Sequence, residues 1–176
     1  MKKFIISTAT ILVLLLSVFS LFACSKIPEN HKDVRSNLRR NGYDVLISSD
    51  SEEAVDLAYD LLSGCIYSLD DEDSIEDGEL LLLSFEEDYN QLVKDINVCV
   101  AGKSENGKGE DLLIVIYFDD SQALETHYDI FIDVFDLIIA NTFNADEFPI
   151  DNSELKYSKT KNILYFGTEQ AIKDAN

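Results

Sequence analysis

An uncharged apolar run near the start of the chain limits what the rest can fold into. Residues 4–23 contain no charge and no glycine, and they follow the basic pair Lys2 and Lys3. About 20 apolar residues match the thickness of a bilayer core, so the run is either a membrane-spanning helix or an export segment that is removed. In both cases about 150 residues remain, which is a common size for one domain.

The end of the run favours removal. Leu21-Phe22-Ala23-Cys24 resembles the lipobox of bacterial lipoproteins, with an aliphatic residue three places before the cut, a small residue just before it and a cysteine after it. The resemblance implies cleavage after Ala23 and a diacylglyceryl group on the Cys24 sulfur, with acyl chains such as palmitate. Two or more acyl chains hold a protein firmly at a membrane. An uncleaved helix is the alternative.

These features predict three regions. Residues 1–23 are a lipoprotein signal peptide, residues 24–31 are the lipidated cysteine and a short flexible linker, and residues 32–176 are a single acidic domain. The expected location is the extracytoplasmic face of the cell membrane, with the domain close to the lipid.

The charge of the mature chain restricts its partners. Loss of Lys2 and Lys3 leaves 12 Lys and Arg against 34 Asp and Glu, a net charge of −22. Nucleic acid binding requires basic side chains that neutralise phosphates, so we exclude a nucleic acid partner. The same charge favours cationic or divalent-metal partners.

The order of hydrophobic patterns predicts an α+β fold. A helix (32–41) stopped by Gly42, a strand (43–48) and a helix that begins at an Asp50–Glu53 capping box and ends at Gly64 come first. Three strand-strand-helix pseudo-repeats follow, each with a phenylalanine where its second strand meets the helix. Their strands are 65–69 with 80–85, 98–101 with 112–118, and 155–158 with 163–166, and their helices are 86–96, 121–140 and 168–175. We expect a mostly antiparallel sheet with helices packed on it.

Two continuous apolar runs predict central strands buried on both faces, Leu80–Leu83 and Leu112–Ile116. The early helices, a second copy of the chain in a homodimer, or an apolar ligand could cover these faces.

Cys65 and Cys99 occupy matching places in the first two pseudo-repeats, which predicts neighbouring strands. A disulfide between them would suit an extracytoplasmic protein, and two buried thiols are the alternative.

The acidic segment around residues 70–79 is a weak candidate for calcium, through Asp70, Asp71, Asp73 and Asp77. An EF-hand loop that began at Asp73 would place Ile75 at its third position and Ser84 at its twelfth, so the required ligands are missing. A solvated loop is the expected structure, and we expect no cofactor.

No catalytic motif is present. His127 lies on the apolar stripe of the long helix, which favours a core or boundary histidine, and His31 falls in the linker. Gly102-Lys103-Ser104 resembles the end of a phosphate loop, but Asn97 stands where its first glycine should be, so a hairpin connection is expected. We therefore do not expect an enzyme.

Two further segments, Asn41-Gly42-Tyr43-Asp44-Val45 and the stretch from Leu164 to Lys173, resemble small lipoproteins of low-GC Gram-positive bacteria. The resemblance implies a surface location and carries no site residue over. The sequence thus predicts a non-catalytic binding or accessory domain for a protein or small ligand. A calcium-binding surface module and a carboxylate-based hydrolase are the alternatives.

Overall fold

The computed structural model describes residues 27–67, 75–92, 96–105, 108–140 and 155–176. Its elements in chain order are α1 (His31–Arg40), β1 (Asp44–Ile47), α2 (Glu53–Tyr67), α3 (Ile75–Leu92), β2 (Asn97–Glu105), β3 (Lys108–Tyr117), α4 (Ser121–Ala140), β4 (Leu155–Thr160), β5 (Ile163–Thr168) and α5 (Glu169–Asp174).

The five strands form one antiparallel sheet in the order β1-β2-β3-β5-β4. Val115 at its centre pairs with Cys99 on one side and Tyr165 on the other. The fold is therefore α+β with an antiparallel sheet, as the sequence predicts. Glu105 pairs with Lys108, which confirms the hairpin after Gly102-Lys103-Ser104.

Helices of the same chain cover both faces of this sheet. One face packs on α2, α3 and α4 in a first core, and the other packs on α1 and α5 in a second core. Within β3, Ile114 and Ile116 face the first core while Leu113 and Val115 face the second. The prediction of a central strand buried on both faces is confirmed for Leu113–Ile116, and Leu112 at the start of the run is partly buried.

The two strands of the first predicted pseudo-repeat are wrong, whereas residues 86–92 of its predicted helix are helical. The strand expected at 80–85 lies within α3, and most of the strand expected at 65–69 lies within α2, which continues past Gly64. The buried residues Leu82, Phe85, Tyr89 and Leu92 recur at helical spacing, whereas Leu83 is 62% exposed. A run of four leucines suits a buried strand and a helix equally well, so the run itself cannot decide between them.

Aromatic side chains fill the first core. Phe135 stacks on Phe166 with ring centroids 4.7 Å apart, and Phe131 meets Phe85 and Phe118 edge to face. The three phenylalanines expected at matching joints thus share one core, although Phe85 belongs to a helix.

Residues that were predicted to be linker, within 24–31, pack against the folded domain. Ile27 is 2% exposed within the second core, and the carbonyl of Pro28 accepts a hydrogen bond of 3.2 Å from the Tyr117 hydroxyl. Asn30 caps α1, in which His31 is the first residue. Residues 27–31 are therefore part of the domain. Cys24 lies outside the described residues.

Candidate functional site

A groove of about 980 Å³ opens beside the edge strand β1. Its floor is formed by Leu46, Val100, Gly102 and Leu112 on the first-core face of the sheet, and the α2 residues Leu57 and Leu61 form a wall. This volume lies at the upper end of the range for ligand sites in proteins. The groove is thus the candidate site in the described part of the chain.

The floor is open because of one glycine. Gly102 pairs with Asp44 of β1 and with Leu112 of β3, and a Cβ added to it would meet no atom within 4 Å. Beside this gap, Leu46 and Leu57 are 36% and 38% exposed. Exposed apolar side chains that lie together commonly mark a binding surface.

The outward backbone carbonyls of the edge strand β1 are hydrogen-bonded within the domain. The Ser48 N–H donates to the Val98 carbonyl at 2.9 Å, so in the alternating antiparallel pattern Val45 and Ile47 direct their backbone groups outward. The Val45 carbonyl accepts from the Arg39 guanidinium at 3.2 Å, and the Ile47 carbonyl accepts from two backbone N–H groups of the following turn. Occupied carbonyls hinder the pairing of an added strand, which favours recognition of a ligand through side chains.

A buried polar cluster borders the groove. The Tyr43 hydroxyl donates to Asp174 Oδ2 at 3.1 Å, and the Thr168 hydroxyl donates to Asp111 Oδ1 at 2.6 Å. Burial, followed by the nearby Asp111 and Asp174 carboxylates, raises the pKa of Tyr43 far above its ordinary value. Tyr43 therefore stays a neutral hydrogen-bond donor that ties α5 to the start of β1.

Charges of both signs surround the apolar floor. Arg39 and Lys103 line the groove together with Asp44 and Asp111, and the Lys103 ammonium lies 5.6 Å from the centroid of the Tyr43 ring. Within the described residues, every buried side-chain nitrogen or oxygen has a hydrogen-bond partner. Arg39 is held by the Val45 carbonyl and Asp111 by the Thr168 hydroxyl, so two of the four charged groups at the groove are fixed by the domain itself.

The two histidines lie outside the groove, one on α4 and one at the start of α1. His127 Nδ1 on α4 lies 3.1 Å from Asp88 Oδ2 on α3, and the His127 side chain is 15% exposed. The prediction of a boundary histidine is confirmed, and the pair links two helices of the first core. His31 is not in a linker, because it begins α1 and its ring meets Tyr117 edge to face at 6.0 Å.

The structure does not place the two cysteines on neighbouring strands. Cys65 belongs to α2, which packs on the first core, and Cys99 is a free thiol in β2 that is buried in the second core. Burial raises the pKa of the Cys99 thiol to about 12, which keeps it protonated and unreactive. The sheet therefore lies between Cys99 and the helix that carries Cys65, an arrangement that disfavours the disulfide.

The metal candidates fall largely outside the described residues. Asp70, Asp71 and Asp73 are not described, and Asp77 is described only as a position in α3, so this part of the acidic segment is helix rather than loop. Among the residues that the structure does describe, no group of three His, Cys, Asp or Glu side chains could hold a metal ion. Calcium binding by this segment stays a prediction.

Sequence reasoning missed the groove, although one pattern pointed to it. The apolar positions predicted for α2 were Ala54, Leu57, Ala58, Leu61 and Leu62. Ala54, Ala58 and Leu62 are fully buried, whereas Leu57 lies at the groove and is partly exposed. The predicted apolar stripe was wider than the stripe that α2 needs to pack on its core, and this extra width was the sequence signal for the groove.

Comparisons of the chain with protein-family models, with curated proteins and with solved structures found no match. Among the described residues, no helix is long and apolar enough to cross a membrane.

Proposed function

We propose that this protein is a lipid-anchored extracytoplasmic domain that acts by binding, without a chemical step. Cleavage after Ala23 and acylation of Cys24 would hold it at the membrane. The residues of the Leu21–Cys24 lipobox support this, and Ile27, three positions after the cysteine, is buried in the domain.

The binding site in this proposal is the groove beside β1. The observation that carries it is the open apolar floor at Gly102, with the exposed Leu46 and Leu57 beside it. Burial of a leucine-sized side chain contributes about 1.5–3 kcal/mol, so two such side chains in the groove would give a useful affinity.

The occupant that fits is a segment of a protein partner with apolar side chains next to basic ones. The mature chain carries 12 basic against 34 acidic residues, so its field attracts a cationic segment and repels an acidic one. Because the outward carbonyls of β1 are occupied, recognition runs through the apolar side chains of the segment.

Intact mass tests the anchor. Protein extracted from membranes of the native host should begin at Cys24 and carry a diacylglyceryl group, and the Cys24→Ala variant should lack it. Cys65→Ala is the matched control and should keep the modification. An unmodified wild-type chain that retains residues 1–23 would show a spanning helix instead.

Two groups of synthetic peptides test the groove, one alternating leucine with lysine and one alternating leucine with glutamate. In NMR titrations the lysine peptide should shift the resonances of Leu46, Leu57 and Gly102, and the glutamate peptide should not. Gly102→Leu fills the floor and should weaken binding at least tenfold, equal to about 1.4 kcal/mol. Gly64→Leu makes the same replacement where no atom lies within 4 Å of the added Cβ, and should leave binding unchanged. Equal binding by Gly102→Leu and wild type would refute the site.

A further inference from the structure

The N-terminal segment 27–29 is fixed to the body of the domain at one end of the sheet. Ile27 is buried in the second core, Tyr117 at the end of β3 holds the Pro28 carbonyl, and Lys161 of the β4–β5 turn forms an ion pair with Glu29. Tyr117 pairs with Asn97 and with Ile163, so this anchor point lies where β2 begins and β3 ends. We call it the tether end of the sheet.

Very little chain separates this end from Cys24. Ser25 and Lys26 alone lie between Cys24 and Ile27. Three residue steps span at most about 11 Å even when fully extended. An acylated Cys24 would therefore hold the tether end within about one helix diameter of the lipid.

The floor of the groove lies further along the strands and on the other face of the sheet. Leu112 in its floor precedes Tyr117 by five residues, which is about 17 Å along β3. The floor is on the first-core face, whereas Ile27 is on the second-core face. The floor of the groove and the tether are thus separated along the strands and by the thickness of the sheet.

We propose that the tether end faces the bilayer and that the groove opens away from it, toward a partner that arrives from the aqueous side. The proposal rests on acylation of Cys24, as given under the proposed function. If the domain lay on its first-core helices, the sheet and that helix layer would separate Ile27 from the lipid by roughly 20 Å. Three residues cannot span that distance.

At the tether end, the lipid anchor and not the surface charge determines the orientation of the domain. Lys161 is paired with Glu29, and Lys159 in the same hairpin is paired with Glu125. Asp119 and Asp120 are exposed beside them. Among these described side chains the acidic groups outnumber the basic ones, so they do not attract anionic headgroups, and added salt should leave the orientation unchanged.

Collisional quenching tests the orientation with the full lipidated chain in phosphatidylcholine vesicles that contain headgroup spin-labelled lipid. A fluorophore is attached at Asp119→Cys on the tether end or at Leu46→Cys in the groove, in a Cys65→Ser background. Cys99 is buried and should remain unlabelled. We expect strong quenching at position 119 and little at position 46.

The outcomes separate the two proposals. Equal quenching at both positions, or stronger quenching at position 46, would overturn the orientation while the anchor stands. Absence of quenching at both positions, in protein whose mass shows the diacylglyceryl group, would also overturn it, because the domain would then stand clear of the lipid. Absence of the diacylglyceryl group would overturn the anchor and the orientation together.

Discussion

Replacement of Gly167 by alanine should strongly destabilise the domain. Gly167 lies in β5 and pairs with Leu113 of the central strand β3. A Cβ at this position would lie 2.3 Å from the Leu112 carbonyl oxygen and 2.9 Å from the Leu113 Cα. Both atoms belong to the backbone of β3, so no side-chain rotation can relieve the contact.

The size of the expected loss in stability depends on which atoms would have to move to make room for the Cβ. Overpacking in a core that can adjust costs about 1–3 kcal/mol, and a rigid backbone neighbour places this change at or above the upper end, about 3 kcal/mol. A domain of this size is stable by about 5–15 kcal/mol, so the loss is a large fraction of the total. It corresponds to a fall in Tm of about 6–12 °C.

Urea unfolding of the domain from residue 25 onward, followed by circular dichroism, measures this loss. Gly102→Ala is the matched control, because it makes the same exchange in strand β2 where the added Cβ meets no atom within 4 Å. It should change the free energy of unfolding by less than about 0.5 kcal/mol. A Gly167→Ala variant as stable as wild type, or an equal loss in both variants, would refute the reasoning.

Three further predictions concern other parts of the fold. Gly64→Ala in α2 should raise the free energy of unfolding by up to about 1 kcal/mol, because it removes a glycine from a helix at a site with free space; unchanged or lower stability in the same urea assay would contradict this. Cys99 should resist iodoacetamide in the native protein and react after unfolding without reductant, and failure to react even when unfolded would indicate a disulfide. Hydrogen bonds from Lys156 and Lys173 lower the pKa of the Glu169 carboxyl to about 2, so the stabilisation they provide is complete above its unfolded pKa and is lost as the pH falls toward 2. NMR titration should show this midpoint rise in Lys156→Met, and a wild-type midpoint at the ordinary carboxyl value would exclude the pair.

Local signals predicted several elements well. Gly42 adopts φ 87°, the left-handed conformation expected of a residue that ends a helix, and α1 stops just before it. The strand pairs after Ile96 and after Leu155, and the long helix α4, also lie where the sequence predicts them. In each case, adjacent residues specify the element through backbone preference and hydrophobic period.

Other local signals were overridden by contacts between elements. Asp50 was expected to cap α2, but its carboxylate forms an ion pair with Arg35, and the Ser51 hydroxyl accepts from the Glu53 N–H instead. Arg35 lies 15 residues away on α1, so no local pattern could have predicted this exchange.

The sequence by itself determined the strong negative charge and the α+β class, and it predicts an export segment that ends in a lipobox. These properties depend on composition and on short-range periodicity, which are present in the linear sequence before the chain folds. The tertiary structure alone decided that the four leucines at 80–83 are helical and that the sheet lies between Cys99 and α2. It also decided that the candidate binding site is a groove above Gly102. Each of these depends on which residues, distant in the chain, the sheet order brings together.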